Sequence, residues 1–283
     1  MISVRDVGKV FGAATALQGV TFDLEPGIVA LLGRNGAGKS TLLGILAGLA
    51  VESSGVIAVD GAPLAADRRA LRAAATLLPQ DPRLDPEVSA KALLRYLLTV
   101  RGLDTAPIEG LLDRFGLGGA LGDRAIGTLS GGMRQRVGLV YAFATETRML
   151  LLDEPTTGLD PWERLRFTSH LAHAATNATI VYSTHVVSDI EAIANRVLVL
   201  ERGRLIFDGS PDVLVSMSPP VFVAEGDEST AARLHGSGAL TAVTRVGPNR
   251  YRVRFLGESL SDEAKQVEPT LNDAYIALTR SAA

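Results

Sequence analysis

The sequence predicts an α/β protein: a parallel sheet with helical crossovers, short strands at the N-terminus, an inserted helical block and a small α+β appendage. Three observations carry this. Ile28–Leu32 is a fully apolar run between Gly27 and Gly33, as a strand buried on both faces requires. Apolar runs of the same kind return at Met149–Leu152, Thr179–Tyr182 and Arg196–Leu200, separated by a helical pattern around Arg164–Ala175. That order implies parallel strands joined by crossovers. Between Gln80 and Ala144 the helical period dominates instead.

In chain order, Ile2–Val4, Thr21–Leu24 and Val56–Val59 read as strands. Lys39 to Leu49 reads as a helix that packs Leu42, Leu43, Ile45, Leu46 and Leu49 against the sheet. In the helical block, Leu93, Tyr96, Leu97 and Val100 form one predicted buried stripe, and Ile108, Leu111, Leu112 and Phe115 a second. A third helix opens beside Ser130, with Met133, Val137, Val140 and Tyr141 on one face. Arg204–Phe207 completes the core. Composition breaks near Ser216–Pro220, which places a boundary between residues 1–215 (helical subdomain about 81–144) and an appendage at 219–283. In the appendage, Val221–Val223, Ala239–Val246 and Arg250–Phe255 read as strands, the last two joined by a Gly247-Pro248-Asn249 turn. Asn272 to Arg280 reads as a closing helix whose Leu271/Ala274/Tyr275/Leu278 stripe is expected to serve as a docking surface. Arg250, Arg252 and Arg254 should line one strand face, solvated or in contact with a second subunit or anionic lipid.

The totals bound the function. Mean hydropathy is +0.22, yet the most apolar stretch, Leu42 to Val51, is far shorter than the about 20 residues needed to cross a bilayer. The first residues carry Arg5, Asp6 and Lys9 where a signal peptide needs an apolar run. There is no cysteine, so no disulfide and no thiolate metal site. A net charge of −3 gives no electrostatic case for nucleic acid, and none is expected as a partner. His170 and His173 stand three apart on a helix with no obvious third ligand.

Gly33-Arg34-Asn35-Gly36-Ala37-Gly38-Lys39-Ser40 satisfies G-x-x-x-x-G-K-[ST] at every fixed position, after a predicted strand and before a helix. In such a loop, backbone N–H groups turn toward phosphates, Lys39 neutralises the β- and γ-phosphates and Ser40 offers its hydroxyl to Mg²⁺. A dinucleotide fold fails here, because Lys39-Ser40-Thr41 follows where a third glycine is needed. The apolar run Met149–Leu152 ends in Asp153-Glu154, which puts two acids at the carboxyl edge of the sheet beside the loop. Asp153 suits Mg²⁺, and Glu154 suits a water in line with the γ-phosphate. A second anion-shaped end, Leu129-Ser130-Gly131-Gly132-Met133-Arg134-Gln135-Arg136, lies far along the chain.

Taken together, the phosphate loop, Gln80, this second glycine pair, Leu150–Glu154, Gly158-Leu159-Asp160 and His185 resemble, in their order, the ATPases of ABC transporters, over Met1 to about Ser210. The resemblance implies a P-loop NTPase core, a RecA-like parallel sheet plus N-terminal antiparallel strands. It implies ATP and Mg²⁺, hydrolysis by Lys39, Glu154 and His185, and a nucleotide site of Phe11, Gly33 to Thr41 and Gln80, with Ser40, Gln80 and Asp153 at the metal. Phe11 aligns with the aromatic that stacks on adenine, where many members carry tyrosine. Two chains are implied in a head-to-tail sandwich, in which Ser130, Gly131 and Gly132 face the partner's γ-phosphate and Asp160 communicates across the pair. A separate transmembrane permease is implied, which holds the chain at the cytoplasmic face of the cell membrane. The insert, the wording Thr156–Pro161 and the C-terminal Glu268–Leu278 resemble the daunorubicin-resistance type, implying export of drugs or other small hydrophobic compounds. A non-transport ABC ATPase of assembly pathways is the alternative.

Overall fold

The computed structural model describes residues 1–64, 68–176, 178–236, 239–258 and 264–281. Strands β1 (Ile2–Phe11), β2 (Ala14–Leu24), β3 (Gly27–Leu32), the short helix α1 (Lys39–Leu46), β4 (Ser54–Val59) and β5 (Ala62–Pro63) come first. β2, β1, β4 and β5 form an antiparallel sheet. α2 (Arg69–Ala74) and β6 (Ala75–Leu78) lead into a helical block of α3 (Ala90–Val100), α4 (Pro107–Arg114) and α5 (Gly131–Ala144). β7 (Met149–Asp153), α6 (Pro161–Ala174), β8 (Thr179–Thr184), β9 (Arg196–Glu201) and β10 (Arg204–Gly209) return the chain to the core. The second sheet runs β10-β9-β3-β8-β7-β6, parallel except for β10. The predicted α/β class holds, with its parallel strands, antiparallel N-terminal strands and inserted helices.

β3, β7 and β8 are buried almost throughout because helices or the first sheet cover both faces. One apolar cluster joins α1 and the first sheet to one face of β3, β7 and β8, through Leu31, Leu42, Leu46 and Val181. The other joins the opposite face to α3, α4, α5 and α6. This two-sided packing fixes the carboxyl ends of β3, β7 and β8 in a row, the place where an open α/β sheet binds ligands.

The structure corrects three sequence expectations. α1 stops at Leu46, and Gly48 at φ +68° reverses the chain, so Leu49 is 70% exposed rather than packed on the sheet. α3 turns Ala90, Leu94 and Leu98 inward, and Tyr96 and Val100 lie outside at 64% and 67% exposure. Both stripes have helical spacing, and the neighbouring helices select the one shifted by about one residue, roughly a third of a turn. The third correction concerns the C-terminal stripe. After α7 (Pro211–Ser216), β11 (Val221–Gly226), α8 (Glu228–Gly236), β12 (Leu240–Gly247), β13 (Arg250–Leu256) and β14 (Lys265–Val267), the closing helix α9 (Leu271–Ser281) buries Leu271, Ala274 and Tyr275 in the core cluster of the second sheet. α9 packs on α7 and on the 3-10 turn Val187–Asp189. Its apolar side is therefore spent within the chain and offers no free docking surface.

β12, β13, β11 and β14 form a third, antiparallel sheet with a small cluster of Leu234, Val253 and Phe255. On the arginine face, Arg250 and Arg252 stay exposed and share Glu225, and Arg254 pairs with the fully buried Asp273 of α9. Residues 237–238, 259–263 and 282–283, which belong to the expected appendage, lie outside the described residues.

Candidate ATP site

The loop between β3 and α1 sits at the carboxyl end of the buried strand. Arg34, Asn35 and Gly36 are exposed, Ala37 is buried, Ser40 is exposed and Thr41 half-buried at the start of α1. No side chain caps the N-terminus of α1, so its first amides and its positive dipole end are left for an anion. Gly38 lies at φ +106°, and a Cβ there would come within 2.6 Å of the Ala16 carbonyl. Only glycine fits that position. Gly33 is packed as tightly, against the Leu200 carbonyl.

Lys39 is 5% exposed, and its Nζ donates to the carbonyls of Gly33 at 2.7 Å and Arg34 at 3.3 Å. Burial lowers its pKa, opposed by the nearby charges of Glu154 and Asp153. The ammonium thus stands in a poorly solvated site, where an incoming polyphosphate gains more than it does in water.

β7 delivers Asp153 and Glu154 beside Lys39, both below 8% exposure. Glu154 adopts φ +46°, a left-handed conformation that costs a non-glycine residue roughly 1–3 kcal/mol and that clusters at functional sites. β8 holds this geometry: the Glu154 amide donates to the Ser183 carbonyl at 3.1 Å and to Ser183 Oγ at 3.2 Å, while Ser183 Oγ donates to Asp153 Oδ1. Three side chains then converge on the Glu154 carboxylate. Lys39 Nζ lies 3.8 Å from Oε1, His185 Nδ1 lies 2.9 Å from the same oxygen, and Gln80 Nε2 donates to Oε2 at 3.3 Å. The structure therefore brings Lys39, Gln80, Asp153, Glu154 and His185 together, though they come from four separate places in the sequence. Sequence reasoning missed Ser183, whose only signal is its position two residues before His185 on a strand.

Phe11 is 55% exposed at the end of β1, with Lys9 Nζ 4.7 Å from the ring centroid. A stacked base has to take the other face of the ring or displace the lysine. Ser130 caps α5 by accepting from the Met133 amide at 3.2 Å and remains exposed. A Cβ on Gly131 would meet nothing within 4 Å, so this helix end is open, whereas one on Gly132 would lie 2.5 Å from the Gly158 carbonyl. That close approach ties the second glycine pair to the turn that leads into Asp160. Asp160 forms a capping box with Glu163 at the start of α6, accepting from the Glu163 amide at 2.8 Å. Among the described residues, no hydrogen bond or ion pair links Ser130–Gly132 to the loop at Gly33–Ser40. His170 lines a separate cavity of about 700 Å³, with His173, Phe143 and Ile180, at the other ends of β7 and β8.

Residues 17–157 match the family model described as ABC transporter. The chain is 32% identical to a Nod factor export ATP-binding protein I of a Rhizobium species, over 98% of this chain and 96% of that protein. It is 33% identical to the protein of the same name from Sinorhizobium fredii, over 98% of this chain and 85% of the other. The solved structure of an ATP-binding subunit of an ABC transporter superposes with a TM-score of 0.69 at 30% identity, covering 76% of this chain and 92% of that one. Part of the solved structure of a bacterial Atm1-family ABC exporter with ATP bound also superposes at 0.69, with 26% identity, over 77% of this chain and 40% of that one.

Proposed function

The chain belongs to the ATP-binding subunits of ABC transporters, and from that membership we propose that two copies, stacked head to tail, drive an exporter through a separate permease. Binding and hydrolysis of ATP are the family's activity and this chain's. The observation that supports the residue roles is the convergence of Lys39, Gln80 and His185 on the carboxylate of Glu154. In this reading Lys39 and the amides of Gly33 to Thr41 bind the phosphates, and Phe11 takes the adenine. Glu154 orients a water and takes its proton. His185 holds Glu154 through Nδ1 and leaves Nε2 for the γ-phosphate.

The oxygens of Ser40, Asp153 and Gln80 form the hard donor set that Mg²⁺ prefers, with Asp153 Oδ1 fixed by Ser183. Bound there, Mg²⁺ would neutralise charge building up on the β- and γ-phosphates. Ser130, Gly131 and Gly132, open at the end of α5, serve the nucleotide on the other copy, and Asp160 lies at the shared boundary. We read residues 1–215 as the ATPase domain and 219–283 as an accessory domain that leans on it through α9.

No helix among the described residues is long and apolar enough to cross a membrane. From the family membership, the pore is assigned to a partner and the chain to the cytoplasmic face of the membrane beside it. Leu49, Tyr96 and Val100 suit that contact. Arg101 Nη2 donates to the Arg72 carbonyl and Arg72 Nη1 to the Gly48 carbonyl, at 3.4 and 3.2 Å, which links the turn of the exposed Leu49 to the end of α3, where Tyr96 and Val100 are also exposed. The names of the relatives support export, and the C-terminal resemblance supports drugs or other small hydrophobic compounds as cargo. Tyr96→Glu with Val100→Glu should abolish co-purification with the permease while ATP affinity of the isolated subunit stays within about threefold, since neither residue approaches the loop. Undiminished co-purification would remove these residues from the permease contact.

A further inference from the structure

We propose that Asp189 is a positioning residue that couples the start of α6 to His185, so that the loop at the subunit boundary and the catalytic switch move together. This rests on the head-to-tail reading above and adds to it a specific connection inside each chain.

The observations are these. The Asp189 side chain is 9% exposed and ends the 3-10 turn Val187–Asp189 that follows His185. Its Oδ2 accepts from Thr156 Oγ1 at 2.7 Å and from the Tyr182 hydroxyl at 3.4 Å. The single proton of the Tyr182 hydroxyl is shared with Thr156 Oγ1, the nearer acceptor at 3.1 Å. Asp189 Oδ1 accepts from Arg164 Nη1 at 3.3 Å. One buried carboxylate is thus bonded to the residue two past Glu154, to the strand that carries His185, and to the first turn of the helix that Asp160 caps.

The surroundings make this junction stiff. Burial pushes the Tyr182 hydroxyl far up, so it stays a donor across the working pH range. Arg164 also donates to the Leu159 carbonyl, which ties it to the turn before Asp160. Behind the turn, Ile190 is fully buried in the same cluster as Leu271, Ala274 and Tyr275 of α9. The backbone at His185 is shaped by Thr184 Oγ1, which accepts from the Val186 amide at 2.9 Å. With Ser183 held by Asp153 on one side and Asp189 held by Thr156 on the other, the chain is anchored on both sides of His185. Arg164 is the anchor that moves with α6. A buried carboxylate cannot lose one of three partners without cost, so a shift of α6 is passed to the turn rather than absorbed.

The test is a double-mutant cycle in the full-length chain with Asp189→Asn and Arg164→Met, with Asp189→Glu as the conservative variant. We expect each of the first two to lower kcat by about 10-fold or more while KM for ATP stays within about threefold, and the pair to cost little more than either alone. Asp189→Glu should recover part of kcat. Thermal unfolding midpoints separate this from simple destabilisation, because a purely structural role lowers the midpoint without the non-additive loss of kcat. Additive losses, or a folded Asp189→Asn protein with normal kcat, would overturn the proposal. The underlying pairing is read separately, from ATP-dependent dimer formation in a Glu154→Gln background: no dimer there sinks the head-to-tail reading, whereas a normal dimer with additive losses sinks only the role of Asp189.

Discussion

Glu154→Gln should lower steady-state ATP hydrolysis by roughly 10²- to 10⁴-fold while ATP still binds, the range expected when a general base is removed. The amide matches the carboxylate in shape and can keep a hydrogen bond to His185 and a water in place, but it cannot accept the proton. The side chain already sits 2.9 Å from His185 Nδ1 and 3.8 Å from Lys39 Nζ, so its neighbours need not rearrange. Because closure of the two copies depends on uncleaved phosphates, this variant should also accumulate an ATP-bound dimer. Size-exclusion chromatography reads the dimer directly. Trp162 gives a second signal: it is the only tryptophan, 75% exposed, and two residues past Asp160, so closure should shift its emission to the blue. Near-normal ATPase activity in the purified variant would remove Glu154 as the base.

Lys39→Ala should act at an earlier step, weakening ATP binding by roughly 30-fold or more, as expected for loss of one partner of a buried charge pair. The lysine holds its ammonium in a site where solvent does little to screen it. Ser130→Arg should differ in kind. Ser130 is exposed and contributes only a cap to α5, so the monomer should fold and bind ATP nearly as wild type, while a bulky cation at the open helix end blocks closure. Nucleotide titration of the two monomers separates them. Equal loss of ATP affinity in both would mean that Ser130 belongs to the same nucleotide site as Lys39.

The parts of the site that the sequence discloses are those in which a rigid geometry demands fixed neighbours. A loop that must pass Gly38 within 2.6 Å of a backbone carbonyl admits no other residue, and an acid placed at the end of a fully apolar run announces the edge of a buried sheet. Asp189, Thr156, Tyr182 and Ser183 gave no such signal, because their role is set by contacts between strands and turns that the sequence does not order in space. The helix errors have a related cause. In α3 two apolar stripes overlap, and only the position of α5 decides between Leu94/Leu98 and Tyr96/Val100. The stripe on α9 was legible, but an amphipathic pattern says that a face is buried and not what buries it. Likewise the arginine face of β13 was visible, and its partners Glu225 and Asp273 were not, being supplied by β11 and α9.

The central claim is that each nucleotide is held by the loop of one chain and the Ser130 end of the other. It is tested most directly by mixing Lys39→Ala chains with Ser130→Arg chains and measuring single-turnover cleavage of ATP. Apart, neither variant can assemble a complete site. In a head-to-tail pair of unlike chains, the intact loop of the Ser130→Arg chain meets the intact Ser130 of the Lys39→Ala chain, while the added arginine faces the nucleotide-poor loop of the Lys39→Ala chain and meets no γ-phosphate there, so the mixture should cleave ATP that neither protein cleaves alone. If Ser130 instead serves its own chain's nucleotide, every chain in the mixture carries a broken site, and the mixture will stay as inactive as its components.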